Sequence, residues 1–374
     1  MDFRPTGDVR ELTDLVRDLC AARGGEDTLA ELDARFGPGA ESAGAQRANS
    51  RLNEQLWSGL VDAGVPLALG PEAAGGDGLG VTAAAYVFFE LGRALAPVPL
   101  DSAVAAAHAL AAAGNPALAR SVATGELIAA VPDILTGVEV EHGEGESGSD
   151  VILHSVSWAP AADLLCDSVP GGLRVYRLPA GGVQVERLVP VDFSCAGRVT
   201  ISAEAAAAAE RLDVSGEAAE LESLRRRVHL AAYQWGVLDA ALERTARYAS
   251  ERNQFGRPIG TFQGVSGRLA DGLIDVDAVR LSTLRAADEL DKCGGVPGPA
   301  ARAAVAAAHF WASEAAHRVA HSAVHVHGGT GLDRSEPLHR YFLAAKAGEF
   351  RLGGATAQLA DLGRTLALHG DPWA

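Results

Sequence analysis

Apolar residues recur at spacings of three and four along the C-terminal part of the chain, which is the pattern of helices that pack side by side. The first stripe is Leu221, Leu224, Val228, Ala231, Trp235, Leu238 and Leu242, and the second is Phe262, Val265, Leu269, Leu273 and Val276. Gly256 and Pro258 separate the stripes, because both residues disfavour a continuous helix. The pattern therefore predicts a bundle of long antiparallel helices over residues 214–374.

Residues 125–213 follow a different pattern, in which glycine and proline separate short apolar or alternating runs. The runs cover residues 151–153, 173–178, 183–188 and 199–201. Alternation with a period of two is typical of strands that bury one face. We predict a small β-domain here, an antiparallel barrel or sandwich, between a helical N-terminal domain at 1–124 and the helical bundle at 214–374.

The composition is that of a globular protein, with 48% hydrophobic and 21% charged residues. The formal net charge of −16 would repel a nucleic-acid backbone, so no nucleic-acid partner is expected. The alanine-rich runs are interrupted too often to span a membrane, and the N-terminus lacks a signal-peptide pattern. The cysteines are scattered and form no metal or disulfide motif. We therefore expect a cytoplasmic protein.

The first candidate ligand-binding residues lie in the break between the two apolar stripes. The segment 247–263 contains Arg252, Phe255 and Gln263. A guanidinium fork suits phosphate oxygens, and an aromatic ring can cover an apolar ligand surface. The simpler interpretation is a bundle corner whose charges are solvated.

The same segment decides between these interpretations through a family resemblance. Residues 252–263 read Arg-x-x-Phe-Gly-x-Pro-Ile-x-x-Phe-Gln, which resembles the signature of the acyl-CoA dehydrogenase family. In that family the Arg, Phe and Gln of one subunit hold the FAD that is bound mainly by its dimer neighbour. The resemblance implies this role for Arg252, Phe255 and Gln263. It also implies the family fold, with an α-helical N-terminal domain, a small middle β-domain and a C-terminal four-helix bundle.

Further segments are similar to the same family. Residues 325–331 resemble its Gln-x-x-Gly-Gly-x-Gly turn, where the backbone approaches the adenosine diphosphate part of FAD. Glycine permits that approach because no Cβ intervenes. The implied FAD-binding residues are Gly328, Gly329 and His325, which stands in place of the family Gln. The glycine-rich turn at 71–80 and the segment after it resemble the N-terminal domain.

The resemblance breaks where the family holds its flavin ring. The family's Thr-Glu-Pro…Gly-Ser-Asp segment would fall at 130–137, which reads Ala-Val-Pro-Asp-Ile-Leu-Thr-Gly. Gly148-Ser149-Asp150 is similar to the missing triplet, but it starts the next strand and we interpret the match as accidental. Ser157 stands where the family has a Thr whose hydroxyl meets flavin N5, so the resemblance implies a cofactor contact for it.

The resemblance also breaks at the catalytic base. Removing the α-proton of an acyl thioester needs a base, a task that suits a carboxylate in a dry pocket, and most of the family place a Glu in a Glu-Gly-Thr turn. Here the Glu position is Leu352 and the Thr position is Gly354. Other members place the base on the helix before the Arg-x-x-Phe motif, where this chain has Arg226. Glu349 is the carboxylate nearest to Leu352, but helix geometry points it elsewhere, so no catalytic residue is predicted.

Residues that reach a neighbour's cofactor are thus kept, whereas those that serve a subunit's own flavin and substrate are lost. This division resembles one subunit type of the heteromeric acyl-CoA dehydrogenases of actinobacteria that act on steroid side chains. It implies that the chain supplies the FAD pyrophosphate and adenosine half-site to a paralogous subunit bearing the catalytic Glu. An acyl-CoA substrate and an electron-transfer flavoprotein are the other implied partners.

Two alternatives stay open. In one, the chain is a self-sufficient homomeric flavoenzyme of secondary metabolism with a non-standard base; in the other, it is a flavin-free scaffold. A metal site is the remaining candidate, because His317, His321 and His325 share one helix face at i, i+4 and i+8. No carboxylate accompanies these histidines, and we predict no metal.

Overall fold

The structure, a computed structural model, describes residues 3–36, 50–132 and 150–373. The chain divides into two units, each built from segments that are separated in sequence. The helix unit comprises Met1–Ala21, Gly80–Ala96 and Arg227–Ala374, and the sheet unit comprises Ala22–Leu79 and Pro97–Arg226. The domain boundaries expected near residues 124 and 213 stay a prediction.

The N-terminal part of the chain is helical. Its helices are α1 (Gly7–Arg23), α2 (Glu26–Phe36), α3 (Glu54–Asp62), α4 (Val65–Ala68), α5 (Gly80–Arg93), α6 (Leu100–Ala112) and α7 (Pro116–Ala123). Asn53 illustrates how such a helix begins. Its side-chain oxygen accepts a hydrogen bond of 3.0 Å from the backbone N–H of Leu56 and so caps α3.

In its described residues the sheet unit has two small β-sheets that share one core. Its remaining elements are β1 (Ala129–Ala130), β2 (Val151–Ser157), β3 (Leu164–Val169), β4 (Gly172–Arg177), β5 (Val183–Leu188), β6 (Ala196–Ile201), α8 (Ala203–Ala208) and β7 (Glu210–Asp213). One sheet has the order β1-β3-β4-β7 and the other β2-β6-β5, and only β1 and β3 pair in parallel. Val151, Leu165 and Val199 belong to the shared core, so the arrangement is a sandwich.

The hydrophobic pattern does not predict β3 or β7, for two different reasons. β3 is buried over four consecutive residues, so it shows no alternation. β7 reads Glu-Arg-Leu-Asp and is mostly exposed. It joins the sheet through its backbone, with Gly172 opposite Asp213 in the pairing with β4, and backbone pairing needs no particular side chains.

The helix unit is built on long helices. The C-terminal elements are α9 (Gly216–Glu251), β8 (Asn253–Gln254), β9 (Arg257–Pro258), α10 (Gln263–Lys292), α11 (Pro299–His327), α12 (Leu338–Phe350) and α13 (Gly354–His369). The part of α9 up to Arg226 belongs to the sheet unit. Val228 and Leu238 of the α9 stripe are fully buried as predicted, whereas Leu273 of the α10 stripe is 56% exposed. Within the described residues, no helix has the length and apolar character needed to cross a bilayer.

Helices α5 and α9 touch backbone to backbone. A Cβ built on Gly92 of α5 would lie 2.0 Å from the carbonyl oxygen of Tyr233. A Cβ built on Gly236 of α9 would lie 2.0 Å from the carbonyl oxygen of Phe89. Neither position has room for a side chain, because the atoms it would meet are backbone atoms. The Trp235 ring packs 4.0 Å from the Phe89 ring beside this contact.

Other contacts hold the neighbouring helices in place. A Cβ on Gly348 of α12 would lie 1.2 Å from the side-chain amide nitrogen of Gln234, and that amide donates to the carbonyl oxygen of Ala344 at 3.3 Å. Asp291, near the end of α10, accepts a hydrogen bond of 2.6 Å from the backbone N–H of Val81 and so caps α5. α9 is therefore fixed against both α5 and α12.

The sheet unit buries a carboxylate without a hydrogen-bond donor among the described residues. Both side-chain oxygens of Glu222 are buried, and Arg225 Nη1 lies 3.6 Å from Oε2, beyond hydrogen-bond distance. Arg226 instead pairs with Asp101 at 3.4 Å and donates to the carbonyl oxygen of Pro132 at 2.8 Å. Burial raises the pKa of Glu222 to about 7, against the opposing effect of the Arg225 and Arg226 charges.

Alanine at either glycine of the α5–α9 contact should destabilise the protein, because a methyl group would force two backbones apart. We expect Gly92→Ala and Gly236→Ala each to lower the free energy of unfolding by about 1–3 kcal/mol or more, measured by urea denaturation. Gly363→Ala is the matched control, since Gly363 is exposed in α13 and nothing lies within 4 Å of a built Cβ. Alanine there should be neutral or stabilising by up to about 1 kcal/mol. Similar effects at all three positions would contradict the proposed contact.

Replacing Glu222 with glutamine should stabilise the protein at neutral pH but not at acidic pH. The folded pKa of about 7 exceeds the ordinary value of 4.5, so the folded state holds a proton that the unfolded chain releases between these pH values. The contribution of Glu222 to the free energy of unfolding therefore falls as pH rises from about 5 to 8. The Glu222→Gln variant should gain about 2 kcal/mol over the natural protein across that range, in denaturation series at several pH values. Glu217→Gln is the control, because Glu217 lies in the exposed first turn of α9. Its free energy of unfolding should depend on pH as that of the natural protein does. The same pH dependence in Glu222→Gln would refute the raised pKa of Glu222.

Candidate functional site

The connector between α9 and α10 is a tight hairpin with an unusual residue at its tip. β8 pairs with β9, with Gln254 opposite Arg257. The two residues between them, Phe255 and Gly256, have φ angles of 53° and 79°, which is the conformation of a type I′ turn. Glycine suits this turn, but a bulky aromatic residue with positive φ is strained. Such strain is typical of functional sites.

The hairpin directs its aromatic ring into solvent. Phe255 is 93% exposed, and its ring meets only the edge of Phe262, at a centroid distance of 6.2 Å among the described ring contacts. Phe262 is in turn covered by the guanidinium of Arg257, which lies 4.2 Å from its centroid. Arg257 and Phe262 therefore brace the hairpin, and the face of Phe255 stays open for another molecule.

Arg252 is fixed by its backbone and open at its side chain. Its N–H donates to the carbonyl oxygen of Tyr248 at 2.8 Å, and its own carbonyl oxygen accepts from Ile259 at 2.8 Å. The guanidinium is exposed, and no carboxylate of the described residues pairs with it. An exposed guanidinium without a partner suits a phosphate oxygen.

The glycine turn lies at the end of α11. Gly328 follows His327 with a φ of 63° and ψ of −137°, a conformation open only to glycine. Gly328 and Gly329 are exposed, and a Cβ built on either would meet no atom within 4 Å. The turn therefore presents accessible backbone.

Tyr248 brings the hairpin and the glycine turn together. Its ring stacks on His327 at 4.2 Å between centroids and an interplanar angle of 19°. Its Oη donates to the carbonyl oxygen of His327 at 3.5 Å and lies 3.4 Å from Oγ1 of Thr330. Burial lowers the pKa of His327, and its Nδ1 donates to the carbonyl oxygen of Ala323 at 2.9 Å. The motif spacing did not identify Tyr248, although its position one helical turn before Arg252 is a usable signal.

The other predicted cofactor residues lie as follows. Gln263 is the first residue of α10 and is exposed, next to Phe262 of the hairpin brace. His325 is exposed on α11, and His327 rather than His325 faces Tyr248. Ser157 ends β2 in the sheet unit, where it is opposite Ala196. The structure thus groups Arg252, Phe255, Gln263, Gly328 and Gly329 at one end of the helix unit, and the cofactor role of all the predicted residues stays a prediction.

These groups fit the diphosphate and adenosine part of FAD. An unpaired guanidinium and an open glycine backbone suit phosphate oxygens, and a free aromatic face suits a flat or apolar group. The stretch expected to replace the family's flavin segment falls mostly on residues 133–149, which lie outside the described residues. The fit therefore concerns the hairpin and the glycine turn.

The position of the family Glu is a closed turn. Leu352 is buried, with φ 51° and ψ 29°, between α12 and α13. Its carbonyl oxygen accepts from Nε2 of Gln358 at 3.0 Å, and the carbonyl oxygen of Arg351 accepts from Nε2 of His309 at 3.1 Å. Burial lowers the pKa of His309 to about 3, which keeps this donor neutral. The turn is occupied by its own hydrogen bonds and holds no acid or base.

Neither of the other base candidates offers a free carboxylate. Glu349 contacts Nζ of Lys346, and its Oε1 is 3.4 Å from Nδ1 of His317. Arg226 is a cation in the sheet unit. Glu222, one helical turn before Arg226, is a buried carboxylate. The family resemblance did not identify it, because counting back from the Arg-x-x-Phe motif gives the single position 226.

The histidines of α11 pack as aromatic rings. His317 and His321 have centroids 4.6 Å apart, and His321 meets the edge of Phe342 at 5.3 Å. Burial lowers the pKa of His321. In the part of the chain that the structure describes, no group of three or more His, Cys, Asp or Glu residues could hold a metal ion.

Comparison with known proteins gives the family. The family model described as acyl-CoA dehydrogenase, N-terminal domain, matches residues 28–125, and that described as acyl-CoA dehydrogenase, C-terminal domain, matches residues 218–367. The acyl-CoA dehydrogenase FadE27 of Mycobacterium tuberculosis is 39% identical over 392 aligned positions, covering 98% of this chain and 99% of FadE27.

Two solved structures are also similar. A chain of the ChsE4-ChsE5 complex from Mycobacterium tuberculosis is 36% identical with a TM-score of 0.83, covering 98% of this chain and 99% of that one. A chain of the Tcur3481-Tcur3483 steroid ACAD is 31% identical with a TM-score of 0.82, covering 96% of this chain and 98% of that one. The predicted fold and the predicted similarity to heteromeric actinobacterial enzymes are confirmed. Because both domain models match and the alignments run over nearly the full chain, this protein belongs to the acyl-CoA dehydrogenase family of FAD-dependent oxidoreductases.

Proposed function

We propose that this chain is the subunit of a heteromeric acyl-CoA dehydrogenase that completes the FAD site of a catalytic partner. It supplies the groups that hold the pyrophosphate and adenosine part of FAD. A paralogous subunit carries the catalytic Glu and holds the flavin ring and the acyl-CoA thioester. The complex performs α,β-dehydrogenation, and an electron-transfer flavoprotein accepts the electrons.

The proposal rests on the solvent exposure of the residues that would hold the pyrophosphate and adenosine part of FAD. Arg252 has no partner among the described residues, Phe255 is 93% exposed, and the backbone of Gly328 and Gly329 is accessible. A strained, exposed aromatic ring does not stabilise this chain by itself. The exposure of these groups is explained if a second subunit and its cofactor cover them.

The chain's own candidate positions support a non-catalytic role. Dehydrogenation needs a base for the α-proton, while FAD supplies the hydride acceptor. Leu352 has no proton acceptor, Glu349 is engaged by Lys346 and His317, and Arg226 is a cation. None of these three positions, which the family resemblance singles out, offers a free base, and we assign the base to the partner.

Exposed apolar side chains support a partner subunit. On α10, Leu273, Ile274 and Leu281 are 56%, 67% and 46% exposed, and on α13 Leu359 and Leu368 are 50% and 71% exposed. Large apolar side chains left exposed on a subunit are candidates for an interface with a partner. The similarity to the ChsE4-ChsE5 complex and to a two-component steroid ACAD supports a paralogous partner and an acyl-CoA of the steroid class as substrate.

Arg252→Ala should release FAD from the complex with the partner while both chains stay folded. Leaving a buried phosphate charge without its arginine typically costs about 2–5 kcal/mol, so FAD affinity should fall by tens to thousands of fold. The measurement is FAD content after gel filtration of the co-expressed pair, with circular dichroism to check folding. Arg247→Ala is the matched control, because Arg247 is an exposed arginine near the end of α9 that pairs with Glu243. Arg252→Lys should recover part of the affinity, since a point charge lacks the fork.

The same preparations separate the alternatives. Full FAD retention in Arg252→Ala would overturn the shared site. An isolated chain with stoichiometric FAD and acyl-CoA turnover would instead support the self-sufficient flavoenzyme. Absence of FAD from the natural pair would support the scaffold.

Leu352→Glu should give no acyl-CoA turnover in the isolated chain. The position is buried and its turn is closed by hydrogen bonds from Gln358 and His309, so a carboxylate there would not be oriented toward a thioester. Dye-linked turnover is the measurement, and thermal unfolding reports on folding. Leu352→Met, which preserves the apolar volume, is the control. Turnover by Leu352→Glu without any partner would show that the chain has a complete site of its own.

A further inference from the structure

We infer that Tyr248 is a positioning residue that locks the Arg252 hairpin to the glycine turn at Gly328 and Gly329, so that the two bind a diphosphate as one site. The inference rests on the proposed function and adds a residue to it. Tyr248 itself acts through its neighbours and is not assigned a contact with the cofactor.

The hairpin benefits from such an anchor because it is exposed and is held mainly by its own strand pairing. Every residue from 250 to 257 is exposed. Exposed segments with few buried contacts open at low cost in free energy. On its far side the hairpin is braced by Phe262, whose ring centroid lies 4.2 Å from the guanidinium carbon of Arg257. On its near side, Tyr248 is the half-buried aromatic residue of the last turn of α9.

Tyr248 is suited to this role because it contacts the glycine turn in two ways. Its ring stacks on His327 at 4.2 Å, directly before Gly328. Its hydroxyl reaches the carbonyl oxygen of His327 at 3.5 Å and Oγ1 of Thr330 at 3.4 Å. Residues 327 and 330 flank the two glycines, so the contacts fix both sides of the turn.

Tyr248 also contacts the backbone of Arg252. The carbonyl oxygen of Tyr248 accepts the N–H of Arg252 at 2.8 Å, and one helical turn separates the two residues. The Arg252 backbone is also held by the N–H of Ile259 at 2.8 Å, so Arg252 joins the hairpin to the residue whose ring stacks on His327. We expect the Tyr248–His327 stack to fix the separation between the guanidinium and the open glycine backbone more tightly than helix packing alone would.

Removing the ring should weaken FAD binding without unfolding the chain. The two halves would then move independently, and a diphosphate would have to order them on binding. Ordering of this kind lowers affinity by about tenfold or more. We expect this loss for Tyr248→Ala in the complex with the partner, measured by flavin fluorescence titration of the flavin-stripped complex. Tyr248→Phe keeps the stack and should restore most of the affinity.

The decisive measurement is a double-mutant cycle with Arg252. If Tyr248 acts by positioning Arg252, then Tyr248→Ala in an Arg252→Ala background should add less than its effect alone. Fully additive losses would overturn the inference, as would unchanged affinity in Tyr248→Ala. His327→Gln removes the stacked ring from the other side and should reproduce the loss. It also keeps the test decisive if Tyr248→Ala does not fold.

The outcomes separate this inference from the proposed function. If Arg252→Ala leaves FAD affinity unchanged, the proposed function fails. If Arg252→Ala weakens binding but Tyr248→Ala and His327→Gln do not, only the positioning role fails. Tm values within a few degrees of the natural complex for all variants would show that the affinity losses do not come from unfolding.

Discussion

The contact between the backbones of α5 and α9 at Gly92 and Gly236 is the constraint on which the helix unit depends. Side chains can repack, but two backbones in direct contact leave no such freedom. Gly348 and Gln234 add a second close contact, between α9 and α12. Because α9 continues from these contacts to Glu251, they determine where the hairpin emerges and where Arg252 is presented.

The hairpin combines two features that oppose stability. Phe255 takes a left-handed backbone conformation that disfavours bulky residues, and it exposes nearly its whole ring to water. Arg257 and Phe262 brace the turn without covering that ring. Natural sequences keep such costs where function requires them. The physical character of the hairpin and its resemblance to an FAD-binding motif therefore both support the proposed role.

The turn at Leu352 has the opposite character. Backbone carbonyls of Arg351 and Leu352 are satisfied by His309 and Gln358, and Leu352 itself is buried. A site that must receive a thioester needs open, poised groups, whereas this turn is filled by its own chain. The contrast between a closed interior turn and an open exterior hairpin is what a subunit specialised for completing a neighbour's site would show.

The sequence by itself determined the family, the long helices, most strands of the sandwich, and the division between kept and lost motif residues. These features are local, because helical and strand periodicity and motif spacing are read along the chain. The tertiary structure decided that Tyr248 stacks on His327, that β7 joins β4, that Leu273 is exposed and that Glu222 is buried without a donor among the described residues. Each of these depends on which distant segments meet, and neither the period of a stripe nor the spacing of a motif carries that information.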